Sequence, residues 1–447
     1  MKSTKKFLLT IAYIILSSLL FAQTNTNDLS IKYKNYRSNL VNNYILKIGI
    51  SNGNSLPASE RQISNHKIKW ADATISLGHY LGVLATEYHL LSLKGENTDN
   101  TTKELYYAIS ALYRLDYKAE TFYSKGDSLA QLNGFFVRDD INNITVAEYK
   151  KLNSNTQIQK VNNFNSDLTD IDSDVGYSLN NEMSKDQVIF LLMGLKLIDK
   201  YIPEDLVYKS ESETAIINYS SGITSLNLAA EYITILILEY LSSNKSIIGW
   251  PIINSVTNKR VKRGYNAFHF QAKAYNNIYE EYTNGGNIYG RCNRLFASLE
   301  NGLLRAVISP VIKQNQGHMV LTLAAISNQF NNKTQAKLFK YSFKDYKNGG
   351  NYEWEPLLHA ALYSQKTDLL DGKANWYKDF LSQAPANGPY NYKDSNLEHQ
   401  NWSVSRRTTQ PESRGDRYNN DAANFNGLDY MLIYNLYLIY YDKKKVQ

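Results

Sequence analysis

The chain carries a single cysteine, Cys292, so it can form no intrachain disulfide. Its stability has to come from packing, and 447 residues are ample for that. No motif of a thiol enzyme follows Cys292, which reads as a buried, unpaired thiol. Neither sign of charge dominates, since 49 Lys and Arg face 42 Asp and Glu. Removing Lys2, Lys5 and Lys6 with an exported leader leaves a mature excess of about four positive charges. That is too weak and too scattered for a nucleic-acid binder. There is no Walker loop, no dinucleotide fingerprint, no H-E-x-x-H and no G-x-S-x-G, so the motif-bearing nucleotide, zincin and α/β-hydrolase chemistries are disfavoured. No repeat of 20 to 50 residues recurs with shared residues, which argues against the common solenoids. No alternating apolar run reads as a central sheet.

What is present begins with an export signal. Residues 1–22 place three lysines before an apolar run from Phe7 to Phe21 and a small residue, Ala22, ahead of Gln23. This predicts a secreted protein, periplasmic or extracellular, with no membrane span once the signal is removed. The mature chain, 23–447, reads as one domain.

Helical spacing then recurs along its whole length. Ile31, Tyr33, Tyr36, Leu40, Tyr44, Ile45 and Ile48 predict a first helix. Trp70, Ala73, Leu77, Tyr80, Leu81, Leu84, Tyr88 and Leu91 predict a second, closed by Gly95. Gly78 and Gly82 sit inside it four residues apart and should each weaken it by about 1 kcal/mol relative to Ala, so a close neighbour is expected there. A third helix carries Leu105 to Ala119 with Thr101 or Thr102 as its cap, and the short connection makes the pair an antiparallel hairpin. Further helices are expected from SKDQ (184–187), 226–241, 266–282, 293–308, 317–330, 354–363, 373–381 and 427–441. The polar stretch 142–180, with one weak helical piece, is long enough to suggest function.

A layout of about six helical hairpins resembles the (α/α)-toroid architecture of six-hairpin glycoside hydrolases and several polysaccharide lyases. The resemblance is carried by the hairpin 70–119, the loop NGFFVRDDI (133–141), the helix start MSKDQ, the segment Trp354-Glu355-Pro356, and the terminal FNGLDYMLIYNLY. It implies a secreted enzyme that cleaves glycosidic bonds by acid/base chemistry in a central cleft. A non-catalytic helical protein of the cell envelope that binds glycans is the alternative.

The loop NGFFVRDDI is the centre of that reading. Phe135, Phe136 and Val137 should anchor it, and Arg138, Asp139 and Asp140 follow at once. Charges so clustered suit a cleft better than a core. Glycoside hydrolysis needs two carboxyl groups, and adjacent ones point apart. The candidate partners for Asp139 or Asp140 are therefore Asp186 and Glu355. Asp186 has a plainer reading, because Ser184 and Gln187 form a capping box whose helix dipole favours an acid there. His79 is a candidate base, with a partly buried, satisfied histidine as its plainer reading. Trp70, Tyr80, Arg138, Trp354, His399, Trp402 and Arg406 are candidate sugar contacts, the rings by stacking and Arg406 by pairing with a carboxylate or sulfate. No cofactor is expected apart from a calcium ion at Asp170, Asp172 and Asp174, whose D-x-D-x-D spacing departs from a calcium loop after Asp174.

Overall fold

The computed structural model describes residues 29–45, 55–62, 67–70, 73–124, 130–140, 159–160, 182–208, 223–243, 251–261, 269–283, 321–328, 354–364, 370–384 and 424–442. Over these residues the protein is helical, with eleven helices. The first, α1, covers 29–43. Next come α2 (Ala73–Leu93), α3 (Asp99–Tyr117) and α4 (Ala119–Tyr123). They are followed by α5 (Lys185–Tyr201), α6 (Leu226–Ser243), α7 (His269–Tyr282) and α8 (321–326). The last three are α9 (Glu355–Tyr363), α10 (Ala374–Ser382) and α11 (Leu428–Tyr441). No described helix is long and apolar enough to cross a membrane.

A small sheet, which the hydrophobic pattern does not announce, joins distant parts of the chain. Its strands are β1 (Glu60–Gln62), β2 (Lys67–Lys69), β3 (Gln159–Lys160) and β4 (Asn424–Phe425), in the order β3-β2-β1-β4. Strand β1 pairs antiparallel with both β2 and β4, whereas β2 and β3 run parallel. Strands of two or three residues are too short to show a period of two.

Helix α2 is the spine. It packs most extensively on α5, then on α11 and α3. The reason is local: a Cβ on Gly78 would overlap the Phe190 carbonyl, and one on Gly194 would overlap the Gly78 carbonyl. Two glycines thus let the α2 and α5 backbones touch, which is the close approach expected for Gly78. Gly82 faces side chains of Leu197 and Leu432 instead. The α2 C-terminus closes on Gly95, at φ +66°, where the Glu96 N–H reaches back to Leu91 O at 2.9 Å.

Two starts differ from the sequence reading. Trp70 lies before α2, and α3 begins at Asp99, so Thr101 and Thr102 fall inside its first turn. Thr102 donates to Thr98 O, and Thr101 turns to Glu87.

Candidate functional site

Helix α2 contains one charged side chain, Glu87, in 21 residues. A lone carboxylate on a buried helix needs a partner, and α1 supplies Arg37. The Arg37 guanidinium lies between two acids. Its Nε and Nη2 donate to Glu87 at 2.8 and 2.9 Å, while Nη1 and Nη2 donate to Glu104 of α3, both at 3.1 Å. Each carboxylate also takes a tyrosine hydroxyl, Tyr33 on Glu87 and Tyr80 on Glu104. Thr101 adds a bond to Glu87 at 2.9 Å, and Asn435 of α11 steadies the Tyr33 hydroxyl at 3.2 Å.

The electrostatics follow from this enclosure. Burial pushes the Glu87 carboxyl up, but the Arg37 charge and the bonds from Arg37, Tyr33 and Thr101 more than reverse it, leaving Glu87 below the ordinary carboxylate range. For Arg37 burial acts downward, and Glu87 with Glu104 overrides it. Tyr33 and Tyr80 are raised, first by burial and then by the carboxylate each one touches.

The cluster is open to solvent on one side. Side-chain exposure is 13% for Arg37, 12% for Glu87 and 21% for Glu104. A cavity of about 500 Å³ lies over it, lined by Tyr33, Arg37, Glu87, Glu104, Tyr434 and Asn435, with Lys34, Lys94 and Glu96 at its edge. A second cavity of about 330 Å³ lies against Tyr80, Lys103 and Glu104. Glu104 therefore faces both. The Tyr33 and Tyr434 rings meet at 4.9 Å. Space of this size, with aromatic faces and convergent polar groups, suits a small polar ligand.

Of the residues proposed from sequence that are described, Tyr80 is the one found at this site. Glu87, Glu104 and Arg37 were missed, although a single charge within an otherwise apolar helix is a readable signal.

The loop NGFFVRDDI does other work. Phe135, Phe136 and Val137 are buried, as expected of anchors. Asp116, near the end of α3, accepts the Asn133 and Gly134 N–H groups at 3.0 and 2.8 Å, and the Val137 N–H reaches Leu115 O. Val137 bridges to Glu182, just ahead of α5. Asp139 is fully enclosed rather than facing a cleft. Asp140 pairs with Arg114 at 2.5 Å and with Lys118 at 3.7 Å. Arg138 donates to Glu182 O at 2.8 Å. The reading of this stretch as the lining of a cleft is thereby corrected: α3 brings cations to Asp140 that the loop itself does not contain.

Three more acids surround the loop. Asn133 and Ser255 donate to Glu120, and Asn254 donates to Glu182 at 2.9 Å. Burial, the largest influence on each, raises Asp116, Glu120 and Glu182 above the usual carboxylate range.

The remaining candidates are placed as follows. Asp186 takes the Ser184 hydroxyl within a formed capping box, its plainer reading. Glu355 opens α9 beside Pro356 and is fully buried, as is nearly all of Trp354. His79 Nδ1 bonds Ile75 O at 2.9 Å, and the ring stacks on Phe190 at 5.0 Å and lies 6.4 Å from Trp354. Burial, partly opposed by Ile75 and Asp429, lowers its pKa, so it is a neutral core histidine at neutral pH. Trp70 is 1% exposed and donates its indole N–H to Leu56 O at 3.0 Å, which makes it a core residue and not a sugar platform. His399, Trp402, Arg406, the aspartates Asp170, Asp172 and Asp174, Cys292 and the leader lie outside the described residues. Among the described residues no three His, Cys, Asp or Glu side chains gather where they could hold a metal ion. Compared with known proteins, the chain matches no family, no curated sequence and no solved structure.

Proposed function

We propose that this chain is a secreted carbohydrate-active enzyme, an (α/α) toroid of helical hairpins, that cleaves glycosidic bonds in the groove over Glu87 and Glu104. One observation carries the reading. Two carboxylates from the α2–α3 hairpin share a single guanidinium nitrogen, at 2.9 and 3.1 Å, on the floor of a cavity the size of a sugar unit or two. Oxygens sharing one nitrogen stand closer than the roughly 6.5–9.5 Å that inverting glycosidases leave for water, so the spacing favours the retaining geometry. Glu87, held anionic by Arg37, is suited to attack the anomeric carbon or stabilise its developing charge. Glu104, the more exposed of the two and facing both cavities, is placed to pass a proton taken up from solvent on its open side to the leaving oxygen. Tyr33 and Tyr434, packed on each other at 4.9 Å, give the groove an aromatic wall against which a sugar can lie.

The full chain should release new reducing ends from at least one member of a panel of neutral and uronic glycans. Absorbance of unsaturated products, read alongside, separates hydrolysis from elimination. A folded protein silent across the panel would count against turnover.

One feature favours a second reading, glycan binding without cleavage. The Glu87 oxygens already accept bonds from Arg37, Tyr33 and Thr101. Under that reading the same glycans bind, with Tyr33 and Tyr434 required, and no bond is broken.

A further inference from the structure

The groove over Glu87 and Glu104 has a cationic edge that the fold makes no use of. Lys34 of α1, Lys94 just past the end of α2 and Lys103 of α3 line its two cavities from three separate helices. Like charges along one helix usually mark a solvated face, whereas convergence from three elements is a tertiary arrangement. Among the described residues none of these lysines is in an ion pair. Lysines elsewhere are engaged: Lys32 donates to the carbonyls where α10 ends, and Lys196 pairs with Asp199 and Glu281 at 3.1 and 2.6 Å. Glu96 shares the edge with Lys34 and Lys94 and pairs with neither.

The floor has a different character. The Arg37 guanidinium is committed to Glu87 and Glu104 through four bonds of 2.8 to 3.1 Å, so it has little left to give a negative ligand from below. Glu87, held anionic, disfavours a second negative group beside it. A ligand that suits both zones is polar and uncharged over the floor and negative at its margins. A sugar chain with carboxylate or sulfate substituents has that pattern, because its ring atoms and hydroxyls are neutral and its charges project from the ring. Glu104 lines both cavities, so a chain laid across it has one part beside Lys34 and Lys94 and the next beside Lys103.

We infer that the groove takes an acidic glycan, one whose units carry carboxylate or sulfate groups, with Lys34 and Lys94 holding the charge in the larger cavity and Lys103 in the smaller. This rests on the reading of the groove as a glycan site and adds the substrate class to it. The three lysines select the substrate and do no chemistry. Lys34 and Lys94 are exposed and Lys103 is half-buried, so each contact has the strength of a surface ion pair, about threefold in affinity. Salt should weaken all three, since exposed charges are screened over about 10 Å at 0.1 M.

The test uses the full chain with neutral, uronic and sulfated oligosaccharides of matched length in separate arms. Calorimetric titration at low and at high ionic strength measures binding, and release of reducing ends measures turnover. At least one charged arm should bind about tenfold or more tighter than the neutral one, with the advantage shrinking as salt rises, and that arm identifies carboxylate or sulfate as the group recognised. Lys34→Gln, Lys94→Gln and Lys103→Gln should each weaken binding of the charged chain by about threefold, and the triple variant should close most of the gap to the neutral chain. On a charged substrate that is cleaved, these variants should raise KM more than they lower kcat, as expected of groups that hold ground state and transition state alike. Neutral chains bound as tightly as charged ones would overturn the inference and leave the glycan reading standing. A triple variant that keeps the parent's preference would overturn it as well. Charged chains bound but never cleaved would support it while turnover fails, and with no arm bound both readings fall.

Discussion

Substituting Gly78 tests the contact on which the spine depends. A methyl group there would overlap the Phe190 carbonyl and stand 2.8 Å from Leu191 N. Carbon atoms pack at about 3.5–4.0 Å, so α2 and α5 would have to move apart along their shared face. Backbone cannot yield as the tip of a side chain can, so the cost belongs at the upper end of the overpacking range, about 3 kcal/mol. Alanine recovers about 1 kcal/mol through helix propensity, and a net loss of about 2 kcal/mol remains for Gly78→Ala. Gly82 supplies the control within the same helix. Its nearest neighbour is a Leu197 methyl at 2.8 Å, which can rotate away. Gly82→Ala should therefore cost less than 1 kcal/mol. Urea unfolding followed by far-UV circular dichroism measures both, with the slope checked for change. If Gly78→Ala is as stable as the parent, or if the two variants rank the other way, the α2–α5 backbone contact is not as described.

Other outcomes follow from buried charges. Lys32 is buried, and its ammonium donates to Ser382 O and Ala384 O at 2.9 and 2.7 Å where α10 ends. Lys32→Met should cost about 2 kcal/mol and speed amide exchange in α10, as hydrogen bonds to charged groups are worth about 1.5–3 kcal/mol. Asp140→Asn breaks a mostly enclosed pair with Arg114 and should lower stability by about 2 kcal/mol, while activity per folded molecule stays unchanged. Glu182 has a raised pKa in the fold, so the native state holds its proton more firmly than the unfolded chain. Its stabilising contribution is complete below about pH 4.3, the unfolded value, and is lost as pH rises through the folded one. Glu182→Gln should accordingly melt higher than the parent at pH 8 and close to it at pH 4. Glu87, depressed by Arg37, has the opposite sign, and its contribution is lost as pH falls through its folded pKa.

Much of the helical layout was legible because apolar spacing is a local property. The segments read over 70–93, 226–241, 354–363 and 427–441 correspond to α2, α6, α9 and α11. Gly78 was legible as a close approach, since a glycine inside a helix is unfavourable without one. The loop charges were not. Asp140 meets Arg114 from 26 residues away, and Lys32 meets carbonyls about 350 residues distant. Nothing in NGFFVRDDI records a cation on α3, so a paired acid and a catalytic acid look alike in sequence. Trp70 was misassigned for a related reason, because an indole buried against Leu56 O and one presented to a sugar share the same apolar spacing. Glu87 lay between these cases. Its isolation in α2 marked it as a charge in need of a partner, but the identity of that partner, on α1, is a tertiary fact.

The most direct test compares the parent with Glu104→Gln on whichever glycan the parent cleaves. Gln keeps the size of the side chain and can still accept from Arg37 and Tyr80, so melting temperature and glycan affinity should change little. Loss of the proton donor should lower the release of reducing ends by a factor of about 100 or more. A Glu104→Gln protein that folds, binds and cleaves at the parent rate would contradict the assignment of acid/base chemistry to this groove.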